Sequence, residues 1–145
     1  MIQPNRYKTI LIVLLLIMFL PTPLKSKSGD LGVIPMLSVT WDTNIGFNYS
    51  GGIALGIWGK GIFNGAYGSL AYSKQGHNLS FGSYTGVGMV TLRIGVNRMN
   101  IYKNNDTYWG LETSPSMILG HLRMGNMSSK NSNLKINFAP GIGLF

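Results

Sequence analysis

The stretch 43–57, TNIGFNYSGGIALGI, constrains this chain more than any other. Ile45, Phe47 and Tyr49 fall on one parity, and Asn44, Gly46, Asn48 and Ser50 on the other. Gly51 and Gly52 interrupt the run, and Ile53, Leu55 and Ile57 resume it opposite Ala54 and Gly56. Successive side chains on a strand point to opposite faces, so the pattern is a two-faced β-structure with one greasy side. Gly-Gly supplies the positive φ of a tight turn, so the stretch reads as a hairpin. In water such a greasy face covers a core; in a bilayer it faces lipid.

The same alternation fills the rest of the chain beyond residue 28, where no long apolar period of 3.6 residues occurs. Val33, Leu37, Val39 and Trp41 share a face opposite Ser38 and Thr40, with Pro35 suiting an edge or a bulge. Turns are expected at Gly59-Lys60-Gly61 and at Lys74-Gln75-Gly76-His77, with a turn or bulge at Thr85-Gly86. Ile62, Ala66 and Leu70 oppose Phe63, Tyr67 and Ala71, the least distinct pair of faces. Leu79 and Phe81 form one greasy face, and Val90, Leu92, Ile94 and Val96 another. Trp109 and Leu111 continue the pattern up to Pro115, which reads as the end of its element. Ile118, Leu122 and Met124 oppose His121 and Arg123. Leu134, Ile136, Phe138, Ile142 and Leu144 oppose Lys135, Asn137, Ala139, Gly141 and Gly143. The asparagine-rich 97–106 and the polar 125–132 read as loops. Eight or nine short strands at regular spacing indicate an all-β barrel or sandwich in one domain.

Residues 1–28 read differently. Arg6 and Lys8 precede the uncharged run TILIVLLLIMFL at 9–20, Pro21 and Pro23 follow, and Ser26-Lys27-Ser28 offers a small-x-small cleavage site before Gly29. That order is a secretory signal peptide, and its run is short of the about 20 apolar residues of a membrane anchor. The expected organisation is a signal peptide over 1–28 and a single β domain over 29–145.

Charged residues make up only 11% of the chain against 45% hydrophobic, unlike an ordinary cytosolic enzyme. The formal net charge of +8 falls by half once the leader is set aside. The remaining cations are scattered, whereas a nucleic-acid binder gathers them on one face or helix. Solvated loop charge and attraction to anionic lipid headgroups are the readings left. There is no cysteine, which excludes disulfides, thiolate metal sites and a lipoprotein anchor.

The 117 residues of 29–145 accommodate eight transmembrane strands of about ten residues, with about five left for each connection. Three features favour lipid as the solvent. The greasy faces oppose small or polar ones. Trp41, Tyr49, Trp58, Tyr72, Tyr84, Tyr102, Tyr108 and Trp109 lie near strand ends, where interfacial aromatics sit. Glycines recur on the polar parity, where a narrow barrel has least room. With its leader, Gly-rich alternating strands, lack of cysteine and final Phe145, the chain resembles a small bacterial outer-membrane β-barrel protein. It departs from that class in one respect: Phe145 shares parity with Gly143, Gly141 and Ala139, not with Leu144 and Ile142. The resemblance implies an antiparallel up-and-down barrel of about eight strands, located in the outer membrane. The alternative is a soluble periplasmic or secreted β-sandwich or barrel, a binding or toxin-like module with its greasy faces turned inward.

Candidate chemistry is sparse. His77 and His121 are the only histidines, and Glu112 is one of four acids. His77 and Ser80 point to opposite faces of a strand. His121 and Arg123 share a face that also admits Glu112 from a neighbouring strand, so His121, Glu112 and a serine are the candidates for a lipid-modifying hydrolase. The plainer reading is a polar cluster filling a narrow lumen. The glycines of 56–61 have neither the spacing nor the helix of a phosphate loop. No metal-ligand pattern and no cofactor motif is present. The expectation is a non-enzymatic, structural or surface-exposed barrel that contacts membrane lipids, with 97–106 and 125–132 as its contact loops for an extracellular partner.

Overall fold

The structure is a computed structural model that describes residues 29–117, 119–129 and 132–144. The expected leader over 1–28 and the terminal Phe145 lie outside the described residues. Eight strands follow one another: β1 (Leu31–Asp42), β2 (Gly46–Gly59), β3 (Ile62–Tyr72), β4 (Gly76–Val87), β5 (Val90–Ile101), β6 (Asp106–Met117), β7 (Gly120–Ser129) and β8 (Ser132–Leu144). Each pairs antiparallel with its sequence neighbours, and β8 closes onto β1, giving an up-and-down barrel. Pro35 lies on β1 before its ladder to β8 begins at Leu37, so its missing N–H costs no ladder bond on that side.

The register fixes the barrel's shape. From Val33 the pairs run Leu55, Ala66, Ser83, Ile94, Thr113, Met124 and Phe138. The carbonyl of Phe138 then accepts the N–H of Thr43 at 3.0 Å. A path that leaves β1 at Val33 thus returns at Thr43, a stagger of ten residues. Eight strands with that stagger tilt by about 40° around a radius of about 8 Å. So narrow an interior is filled by side chains and leaves no channel. A twelve-residue strand tilted that far rises about 30 Å, enough to cross the apolar layer of a bilayer.

Several connections differ from the sequence reading. Gly51 and Gly52 are not a turn: β2 runs straight through them, and Phe47, Tyr49, Ile53, Leu55 and Ile57 form one continuous outer face. Gly52 is there for space, since a Cβ on it would stand 2.4 Å from the Gly68 carbonyl oxygen. Thr85 and Gly86 are likewise in strand, and β6 continues through Pro115 to Met117. Most of 97–106 is strand, with 102–105 alone as the turn, and all of 125–129 belongs to β7. Of the asparagines that suggested loops, Asn97 lines the barrel and is fully buried, as are Asn48, Asn78 and Asn137 in other strands.

One end of the barrel carries the tight connections at 60–61 and 88–89 and the start of the described chain; it is called the turn end here. At 60–61, Lys60 and Gly61 both have positive φ (52° and 81°), the type I′ geometry that matches strand twist. The opposite, loop end carries the connections 43–45, 73–75 and 102–105.

Candidate functional site

The side chains are sorted opposite to those of a water-soluble protein. Leu55, Ile94, Leu111 and Ile136 are outside, with Leu111 70% exposed. Asp42, Arg93, Glu112, His121 and Arg123 are inside. Two apolar layers bound the interior. Met36, Ala54, Phe63, Tyr67 and Tyr84, with Ile34 and Trp58 against them, fill it toward the turn end. Ile45, Met99, Ile101, Tyr108 and Met127 fill it toward the loop end. The polar cluster lies between them.

Within the cluster each charge has a named partner. The Tyr67 hydroxyl donates to Glu112 Oε1 at 2.9 Å. The Arg93 guanidinium donates to Ser114 Oγ at 2.8 Å and lies 5.6 Å from the centre of the Tyr67 ring. Arg123 Nη2 donates to Asp42 Oδ2 at 2.6 Å. Asp42 Oδ1 accepts the N–H groups of Asn44 at 2.8 Å and Ile45 at 3.2 Å, so one carboxylate both pairs a buried cation and shapes the β1–β2 turn. Two arginines balance two carboxylates, which keeps this layer near electroneutrality in a medium where an unmatched charge is expensive.

The candidate catalytic residues share the lumen but not a site. His121 pairs in register with Ser116 and Glu112 with Gly125, four residues apart along the strands, or about 13 Å. Glu112 is occupied by Tyr67. His77 is on the outer face with its Nδ1 3.1 Å from the Tyr102 hydroxyl, while Ser80 is buried, as parity requires. Among the described residues no three His, Asp or Glu side chains come together as a metal site would need. The arrangement packs two arginines, two carboxylates and several asparagines between the two apolar layers, and the side-chain amides of Asn78 and Asn97 find no hydrogen-bond partner among the described residues.

The outer surface has a second organised region. Trp41, Phe47, Tyr49, Tyr72 and Trp109 are exposed within a few residues of the loop end, and Tyr102 stands on the 102–105 turn. Arg98 lies beside this belt with its guanidinium 5.5 Å from the Trp109 ring centre. Trp58, Tyr84 and Tyr108, which sequence position also assigned to a girdle, point inward instead: Tyr84 and Tyr108 are buried in the two apolar layers and Trp58 packs 5.2 Å from Phe63. Their even numbering on β2, β4 and β6 matches that of the lumen residues Ala54, Asn78 and Glu112, so parity was the signal that separates them. The belt is therefore one-sided. Around the turn end the exposed large residues are aliphatic or Met, among them Leu31, Ile57, Ile62, Val87, Val90 and Met117.

In comparisons with known proteins, no family model, no curated protein and no solved structure matched the chain.

Proposed function

We propose that this chain is a non-enzymatic barrel of a bacterial outer membrane, with a plugged lumen, that serves as a structural and surface element rather than a pore. The observation that carries the reading is the inverted sorting: an aliphatic outer band with an aromatic belt, around an interior that holds the ion pair and the asparagines. Closure of β8 onto β1 pairs the two edges of the sheet with each other from Leu37 onward, as a barrel surrounded by lipid requires. In water the same band would be a very large exposed apolar surface, and such surfaces are covered in soluble proteins. The outward polar groups fit too. Thr85 Oγ1 donates to Asn64 Oδ1 at 3.0 Å and Thr107 Oγ1 to Asn100 Oδ1 at 2.5 Å, so each pair is hydrogen-bonded across its strands.

The test is membrane fractionation of the expressed protein, followed by a gel of unheated and boiled samples. The expected result is recovery in the outer membrane, resistance to carbonate extraction and a mobility shift on boiling. Recovery in the soluble fraction with no shift would overturn the proposal.

A further inference from the structure

On the outer wall, two concavities lie one above the other along strands β2 and β3. The lower one is a trough whose floor is Gly51 and Gly68 and whose sides include Leu37, Ile53, Leu70 and Phe81. The upper one, about 420 Å³, lies at the loop end and is lined by Tyr49, Tyr72, Lys74 and Gln75 over Ile45 and Phe47. Tyr49 and Tyr72 are paired across β2 and β3 two residues above the pair Gly51 and Leu70, so they stand between the two spaces.

The trough is not a by-product of tight packing. Lumen glycines such as Gly56 and Gly65 are required, because a Cβ on either would meet partner backbone within 2.2 Å. Gly68 is under no such demand: a Cβ there would meet nothing within 4 Å. At Gly51 a Cβ would touch only the Leu37 side chain, at 3.5 Å. The fold tolerates side chains at both, and their absence leaves a bare apolar strip between larger residues. The upper space is built as well. Ser73 Oγ accepts the N–H groups of Gln75 and Gly76 at 3.0 and 3.1 Å and reaches the Gly76 carbonyl at 3.1 Å. The Gln75 carbonyl accepts the Tyr102 N–H at 2.9 Å. Lys74 therefore stands on a fixed turn.

Charge follows the same axis. Lys74, Arg98, Lys103 and Lys135 lie at the loop end, where Asp106 is the acid not already paired with Arg123. The turn end carries one cation and one acid among its exposed residues, Lys60 and Asp30. An apolar strip that leads up to tyrosine hydroxyls and a fixed lysine matches an amphiphile with a phosphate head and an acyl tail.

We infer that the outer wall of β2–β4 is a docking site for one anionic, phosphate-headed lipid, its acyl chain in the trough over Gly51 and Gly68 and its phosphate beside Lys74. The inference rests on the membrane reading above and adds a ligand and a place. A free phosphate would need no trough, a neutral lipid would make no use of Lys74, and a second copy of the chain would need no cation at the rim.

The test is native mass spectrometry of the full chain purified in detergent, first checked for its mobility shift on boiling. The probes are dioleoylphosphatidylglycerol, dioleoylphosphatidylcholine, which has the same tails and no net charge, and glycerol phosphate, which has no tails. Phosphatidylglycerol is expected to form a one-to-one adduct retained about fivefold better than phosphatidylcholine. Glycerol phosphate is expected not to compete. Lys74→Gln should lower retention about fivefold, Gly68→Leu should lower it at least as much, and Lys60→Gln should leave it unchanged. Gly68→Leu points into open space, so the shift on boiling should persist in it. Equal retention of the two lipids, competition by glycerol phosphate, wild-type retention in either site variant, or equal loss in Lys60→Gln would overturn the inference. A chain that never folds in detergent and shows no shift would instead overturn the membrane reading.

Discussion

Asp42 is buried at the last position of β1, with a relative exposure of 0%, and its two oxygens serve different partners. One takes the Arg123 guanidinium from the far side of the β8 ladder, and the other takes two backbone N–H groups of the turn at 43–45. Removing the arginine leaves a carboxylate in the interior with no cation beside it. Arg123→Met should therefore cost about 3–5 kcal/mol of stability, read as a lower urea midpoint for the heat-sensitive gel band. Adding Asp42→Asn should restore a large part of it, because the neutral pair no longer holds an unmatched charge. A single variant as stable as the wild type would show that the pair contributes nothing to the plug. Sequence alone showed that His121, Arg123 and Glu112 could share an inner face, but it did not single out Asp42. That residue stood only as the position before the stretch 43–57, with no role assigned to it.

At the scale of elements, the glycines of β2 and β3 divide by face. A Cβ on Gly65 would lie 2.1 Å from the Leu55 carbonyl oxygen, backbone that has no rotamer to change. Gly65→Ala should cost about 1–3 kcal/mol in the same urea assay, whereas Gly68→Ala, on the outer face two positions from Ala66, should cost next to nothing. Equal effects at the two sites would contradict the close strand approach inside the barrel. Parity was legible along the strands: it placed Leu79, Phe81, Leu92, Ile94, Trp109, Leu111, Ile136 and Ile142 on greasy faces, and all of them are exposed, whereas Ile45, grouped with Phe47 and Tyr49 but lying in the 43–45 connection, is buried in the lumen. Element ends were less legible, for one physical reason. In an inverted barrel the interior is built from Asn, Ser and Gly, the residues that mark loops in a water-soluble chain. Asn97 and Gly125 line the lumen and still read as connections. The turn at 60–61 was read correctly, and that at 73–75 in part, since Gly76 and His77 of the expected turn already belong to β4; at both, a glycine or lysine coincides with a break in the apolar parity.

For the molecule as a whole, the strand count came from dividing chain length by the length of a spanning strand, and the structure has eight strands in a closed barrel. The stagger of ten residues was not readable in the same way, since it depends on pairings between strands distant in sequence. That stagger sets the radius of about 8 Å, and the radius decides that the interior is a plug. The asymmetry of the molecule also emerges only at this scale. Trp41 and Trp109 face out in the loop-end belt, and Trp58 faces in at the turn end against Phe63. The proposed function rests on this inside-out arrangement having lipid around it. Its most direct test is tryptophan fluorescence of three single-tryptophan variants, folded into vesicles whose lipids carry bromine close to the headgroups. Strong quenching is expected for Trp41 and Trp109 and little for Trp58. Strong quenching of Trp58 with Trp41 and Trp109 unaffected would contradict it.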